Sequence, residues 1–264
     1  MRDASGRFHD AIRYLTRALD LHRRAGNPTG VSLTLLNLAF NHLRLGHDEL
    51  AWECLREALP LARELGHRRV QPAAIDGIGL LLRRQGRYAE AIDHHLDALA
   101  AVRDRGDEED EAHFLASLGG TRQAQGDLDG ALGDLRRARR LADRTGFRAL
   151  QAEMCNALGR VLLETGQAEE ARRSHDLALD LSTPGIDRYQ EARALDGIAG
   201  TCQCRGDVAD ARRFWLRALA IYEEMDVPEA DDVRARLTAP ASEDTLVPGF
   251  PDVRTAERDT GYRT

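Results

Sequence analysis

The sequence predicts an all-α fold: a right-handed α-solenoid of helix–turn–helix repeats, with five full repeats and a half repeat at each end. Three observations carry that prediction. Glycine returns every fortieth position, at Gly6, Gly46, Gly86, Gly126, Gly166 and Gly206. Alanine keeps the same interval in two columns, Ala11, Ala51, Ala91, Ala131, Ala171, Ala211 and Ala18, Ala58, Ala98, Ala138, Ala178, Ala218. Between these columns apolar residues recur at helical spacing. A period of this length marks stacked units, none of which buries its apolar face alone.

Taken in order, residues 1–6 are an N-terminal extension, and 7–26 match a second helix without its first. That half repeat carries Phe8, Ile12 and Leu15 and has no partner helix expected within the chain. Its uncovered end implies either a longer protein or another molecule, a second copy included, docked there. Repeat 27–66 shows the full unit. In GVSLTLLNLAFNHLRL (30–45), Leu35, Leu38, Ala39 and Leu43 share one helical face, and Gly46 supplies the positive φ that ends the helix. A second helix follows from about Asp48 to Leu65, with Leu55, Ala58, Leu59 and Leu61 in its last turns. Repeats 67–106, 107–146, 147–186 and 187–226 follow the same plan. Their first helices place a small residue (Ala39, Gly79, Gly119, Gly159, Ala199) beside a large one (Leu38, Ile78, Leu118, Leu158, Ile198), as close helix pairs require. The run Asp107–Glu111 opens one first helix, where carboxylates favour the helix dipole. The second glycine column, Gly26, Gly66, Gly106 and Gly146, slips at Thr183-Pro184-Gly185. PEADDVRARL (228–237) closes the array as a first helix within half repeat 227–237, and 238–264 mix proline, glycine and charge without period, a disordered tail.

These columns resemble the tetratricopeptide repeat: a large-then-small pair in the first helix (Leu38-Ala39), glycine at the turn (Gly46), and two alanines seven apart in the second (Ala51, Ala58). The usual period is 34, so the chain looks like the long-helix variety. The resemblance covers about residues 7–237. The aromatic the pattern expects between the alanines is often replaced, the slot reading Leu55, His95, Leu135, His175 and Trp215. A narrower resemblance lies in YAEAIDHHLDALA, EARALDGIAG and ALAIYEEMDVPEADDVRARL, which look like the C-terminal repeat region of actinobacterial antibiotic-regulatory (SARP and NB-ARC type) transcriptional regulators. It implies a sensing or docking arm. Upstream DNA-binding and nucleotide-switch domains of such regulators would be its companions, and their activities do not transfer to this stretch.

Composition removes several chemistries. Lysine is missing from the whole chain, so all 37 cations are arginines. That excludes a P-loop lysine, a Schiff-base lysine and a kinase-type lysine, and it points to a GC-rich bacterial genome. Net charge is −7, which provides no overall basic field for nucleic acid. No apolar run reaches membrane-spanning length and no signal-peptide core opens the chain, so the cytoplasm is expected and a membrane partner is not. Four cysteines, Cys54, Cys155, Cys202 and Cys204, do not make a disulfide scaffold.

The candidates for chemistry dissolve into the repeat frame. His94 and His95 are adjacent on a helix and point about 100° apart, unlike a chelating i, i+4 pair. His95 and His175 occupy a slot that leucine fills elsewhere, which predicts core histidines with one nitrogen hydrogen-bonded. Ser174-His175-Asp176 spells a triad in consecutive letters, yet triads converge from separate segments. Cys202 takes a core slot, and Cys204 faces the groove or solvent. No catalytic residue, cofactor or metal site is expected, and the chain is read as no enzyme.

Function is expected on the concave face, lined by first helices. The lining slots give Leu33, Leu36, Phe40 and Arg44, then Asp76, Arg83 and Arg84, then His113 and Gln123, then Asn156 and Arg160, and finally Arg193 and Asp196. The groove runs from apolar to polar and charged, which suits an extended peptide or a partner helix. Two roles stay open: a protein- or peptide-binding arm of a bacterial transcriptional regulator, and a free-standing receptor for a signalling peptide or a general scaffold. The lysine clamp of chaperone-binding family members has no counterpart here.

Overall fold

The computed structural model describes residues 8–103, 105–182 and 187–238, and these form twelve α-helices and no strand. They are α1 (Phe8–Arg24), α2 (Pro28–Arg44), α3 (Asp48–Glu64), α4 (Val70–Arg84), α5 (Tyr88–Arg103), α6 (Glu108–Gln125), α7 (Leu128–Thr145), α8 (Arg148–Glu164), α9 (Ala168–Leu181), α10 (Arg188–Arg205), α11 (Val208–Met225) and α12 (Glu229–Thr238). The expected extension 1–6, the slip at Thr183-Pro184-Gly185 and all but Thr238 of the expected tail lie outside the described residues.

Three helices have a side-chain cap at their start. Asn27 caps α2 by accepting from the Gly30 amide at 2.9 Å, and Pro28 starts it with a preset φ. Asp107 and Asp127 cap α6 and α7 in the same way, at 3.3 and 2.9 Å. The acidic run is therefore a capped helix start. It also pairs with the next second helix, Glu108 with Arg144 at 2.8 Å and Glu111 with Arg137. Most helices end at a glycine of positive φ, Gly126 at +94° for example. Where that column lacks glycine, Asp226 adopts the left-handed conformation itself, at φ +53°, a cost of about 1–2 kcal/mol.

Helices pack as antiparallel neighbours, and the first helices α2, α4, α6, α8 and α10 also touch one another in sequence. That makes an inner layer of first helices and an outer layer of second helices. From α3 onward the two alanine columns are fully buried. Their missing side-chain bulk is what lets the layers meet.

The solenoid closes on itself. Phe8 of α1 and Leu45 after α2 are buried in one cluster with Leu195, Trp215, Tyr222, Val227 and Val233 of the C-terminal repeats, with Ile12 against its edge. Phe8 stands edge-on to Tyr189, with centroids 6.0 Å apart. His9 Nε2 lies 3.1 Å from Asp226 Oδ2. A Cβ on Gly46 would sit 3.0 Å from Pro228. The expectation that α1 lacks a partner within the chain is therefore corrected for its first turns, where Phe8 and Ile12 pack against the cluster built by α10–α12. The array curves far enough to bring the start of α1 against the C-terminal repeats. No single repeat encodes it.

Candidate functional site

One slot of each first helix faces its own second helix nineteen residues on. Its occupants co-vary within the chain: Leu36 with Leu55, Asp76 with His95, Ala116 with Leu135, Asn156 with His175, Asp196 with Trp215. Polar meets polar, and apolar meets apolar. His95 Nδ1 donates to Asp76 Oδ1 at 2.7 Å, His175 Nδ1 meets Asn156 Oδ1 at 3.2 Å, and Trp215 Nε1 donates to Asp196 Oδ1 at 3.0 Å. Buried polar groups demand such partners.

This pairing decides which expected groove residues reach the surface. Leu36, Asp76 and Asn156 are buried, Asp76 at 3% exposure and Asn156 at 2%. They point between helices. Asp76 also accepts from Ser117 Oγ at 3.0 Å, and Asn156 donates to Gln190 O at 3.0 Å. Asp196 is half-buried and tied to both Trp215 and Arg236, the latter at 2.6 Å. Leu33 is exposed, and Phe40 packs partly against the α2–α4 cluster. The co-variation is the signal that separates buried slot from lining, and lining offsets alone miss it.

The remaining polar residues meet in the lumen. Arg44 reaches across it, 3.7 Å from Glu153 of α8, with its guanidinium 4.7 Å from the Tyr189 ring centroid. His113 Nδ1 lies 3.8 Å from the same Glu153. Burial raises the Glu153 carboxyl, but His113, Arg44 and Arg193 outweigh it, and its pKa ends below the usual range. Tyr189, which the lining offsets do not include, donates its hydroxyl to Glu229. Arg84 pairs with Asp48 and with the Leu43 carbonyl, both at 2.6 Å. Gln123 links the neighbouring helices α6 and α8 by donating to Glu164 and accepting from Arg160 Nε at 3.0 Å.

Arg83, Arg160 and Arg193 differ from these. None has a carboxylate within ion-pair distance among the described residues, whereas Arg44, Arg84 and Arg236 each do. Arg83 Nη1 and Arg160 Nη2 both approach Gly120, lying 2.6 and 3.9 Å from where its Cβ would be. Glycine is required there because a side chain would displace the guanidiniums. Burial and then the Arg160 charge push Arg83 down to about 10, and burial and then Arg193 lower Arg160.

Among the described residues, the other candidates for chemistry are tied into packing. Thr121 Oγ1, His95 Nε2 (3.0 Å) and Asp76 line up like a nucleophile, base and orienting acid, but all three are buried where no substrate reaches. His95 thus has both nitrogens engaged, one more than expected, and His175 has one, its Nε2 lacking any partner. His94 turns away to the Glu90 carbonyl at 2.9 Å. Ser174, His175 and Asp176 bond to Glu170, Asn156 and Arg172, in three directions. Burial raises the Cys204 thiol and pushes Cys54 and Cys155 up to about 11, so these are poor nucleophiles at neutral pH. Among the described residues no three metal-ligating groups cluster, and no helix is long and apolar enough to cross a membrane.

Comparison with known proteins agrees with this architecture. The tetratricopeptide repeat profile matches residues 4–64, 71–144 and 149–224. No curated protein matches the chain. BtubC (BKLC) from P. vanneervenii shares its fold with a TM-score of 0.61 at 20% identity, over 83% of this chain and 92% of that one. A Rap protein complexed with competence and sporulation factor gives 0.62 at 14%, over 88% and 71%. The apo form of RapI gives 0.62 at 16%, over 88% and 79%. At such identities the likeness is one of fold.

Proposed function

The chain belongs to the tetratricopeptide repeat family, and from that premise we propose that it is a non-catalytic protein- or peptide-binding module whose lumen takes up an extended segment of a partner. The observation that carries this reading is the lumen's asymmetric lining. Leu33 stands exposed near one end, and further along stand Arg83, Arg160 and Arg193, bonded at most to neutral groups and to no carboxylate among the described residues. A surface that leaves charges unpaired inside a concave space is built for something not yet there. The four free cysteines fit the reducing cytoplasm as its place.

Within this reading, the phrase-level resemblance to antibiotic-regulatory proteins favours a docking arm of a bacterial transcriptional regulator. A Rap protein of like fold is complexed with competence and sporulation factor, which supports the alternative of a free-standing receptor. Whether a DNA-binding domain is encoded in frame before Met1 separates the two. The lumen itself is tested by the double charge reversal Arg83→Glu/Arg160→Glu, compared in pull-downs with an outer-face control, Arg173→Glu. Proteins captured by wild type and control should be lost from the lumen variant while circular dichroism stays unchanged. Equal capture by all three puts the binding surface elsewhere.

A further inference from the structure

We propose that Arg83, Arg160 and Arg193 form an anchor for one carboxylate side chain of an acidic peptide, a specificity that rests on the lumen being the peptide site. The guanidiniums of Arg83 from α4 and Arg160 from α8 converge on Gly120, the charge of Arg193 from α10 acts on both, and among the described residues none of the three has a carboxylate within ion-pair distance. Shortage of carboxylates is not the reason, because the chain carries 44 acidic residues against 37 arginines. The acids nearest the cluster are committed elsewhere. Asp76 is held by His95 and Ser117, Glu164 by Gln123, and Asp196 by Trp215 and Arg236.

The chain therefore keeps like charges near one another on the concave face; burial first, and then the neighbouring guanidiniums, lower Arg83 and Arg160. An incoming anion relieves that repulsion and gains charge-assisted hydrogen bonds from planar donors. A single carboxylate fits better than a phosphate. Glu164 and Asp196 act on Arg160, and Asp76 acts on Arg83. A multiply charged ligand would press its second charge against these acids, whereas one carboxylate on an otherwise neutral peptide would not.

Two libraries of N-acetylated, C-amidated decapeptides test the anchor. They are identical except for one fixed central residue, aspartate in one and asparagine in the other. Wild-type protein should retain the aspartate library about tenfold better, the ratio expected of a charge-assisted bond. Arg160→Gln and Arg83→Gln should erase that preference yet still retain the asparagine library. Because each removes an unpaired cation, the melting temperature should hold steady or rise by about 2–4 °C. Equal retention of both libraries by wild type overturns the anchor and leaves the peptide-binding lumen standing. Retention of neither overturns both. Loss of preference together with a lower melting temperature assigns the arginines a structural role and also overturns the anchor, as does strong binding of inorganic pyrophosphate without an aspartate preference.

Discussion

His175 shows how a repeat converts a packing slot into a titratable one. Leu55 and Leu135 fill this slot in other repeats, and here an imidazole is wedged against Gly159, a Cβ on which would lie 2.7 Å from its Nε2. Burial, then Arg193, Arg160 and Arg172, hold its pKa at about 3, against 6.5 unperturbed. Between those values the unfolded chain binds a proton that the folded chain refuses, so stability falls as pH drops below about 6.5. From pH 7 to 5 the loss due to this residue is about 2 kcal/mol. His175→Leu should shrink the pH dependence of the unfolding free energy from urea titrations by that amount, and an undiminished dependence would refute the assignment. At this scale the sequence was legible wherever a column repeated: leucine in the other copies marks His95 and His175 as core. It was not legible for Asp76 and Asn156, because a lining offset does not say whether a side chain turns toward the lumen or toward its own second helix.

Among the elements, α1 behaves least as its sequence suggests. Its periodicity and its place before α2 are plain from Ile12, Leu15 and Leu19. What covers it is not, since the covering residues lie some two hundred positions away in α10–α12 and no local pattern joins them. Phe8 is the side chain that makes the joint, buried against Tyr189. Phe8→Ala should cost about 3 kcal/mol. Its diagnostic effect is remote: amide exchange in α12 should accelerate along with that in α1. Acceleration confined to α1 and α2 would mean that the two ends stabilise themselves independently, as an open solenoid's ends do.

Over the whole molecule, repetition and closure do different jobs. Repetition builds two layers, with alanine columns setting how near they come, and that much follows from a period read directly off the chain. Closure turns the concave face into a lumen in which Arg44, Glu153 and Tyr189 meet across the array, and where Arg83 and Arg160 converge on Gly120. Net charge gave no hint of this, because a net −7 does not say where on the chain its arginines gather. The central claim is that partners bind in that lumen. Arginine modification by phenylglyoxal, mapped by mass spectrometry with and without the most strongly retained aspartate-library peptide, tests it most directly. The account predicts that bound peptide shields Arg83, Arg160 and Arg193 while Arg136 and Arg173 on the outer helices react as before. Shielding of Arg136 and Arg173, with the lumen arginines still reactive, would contradict it.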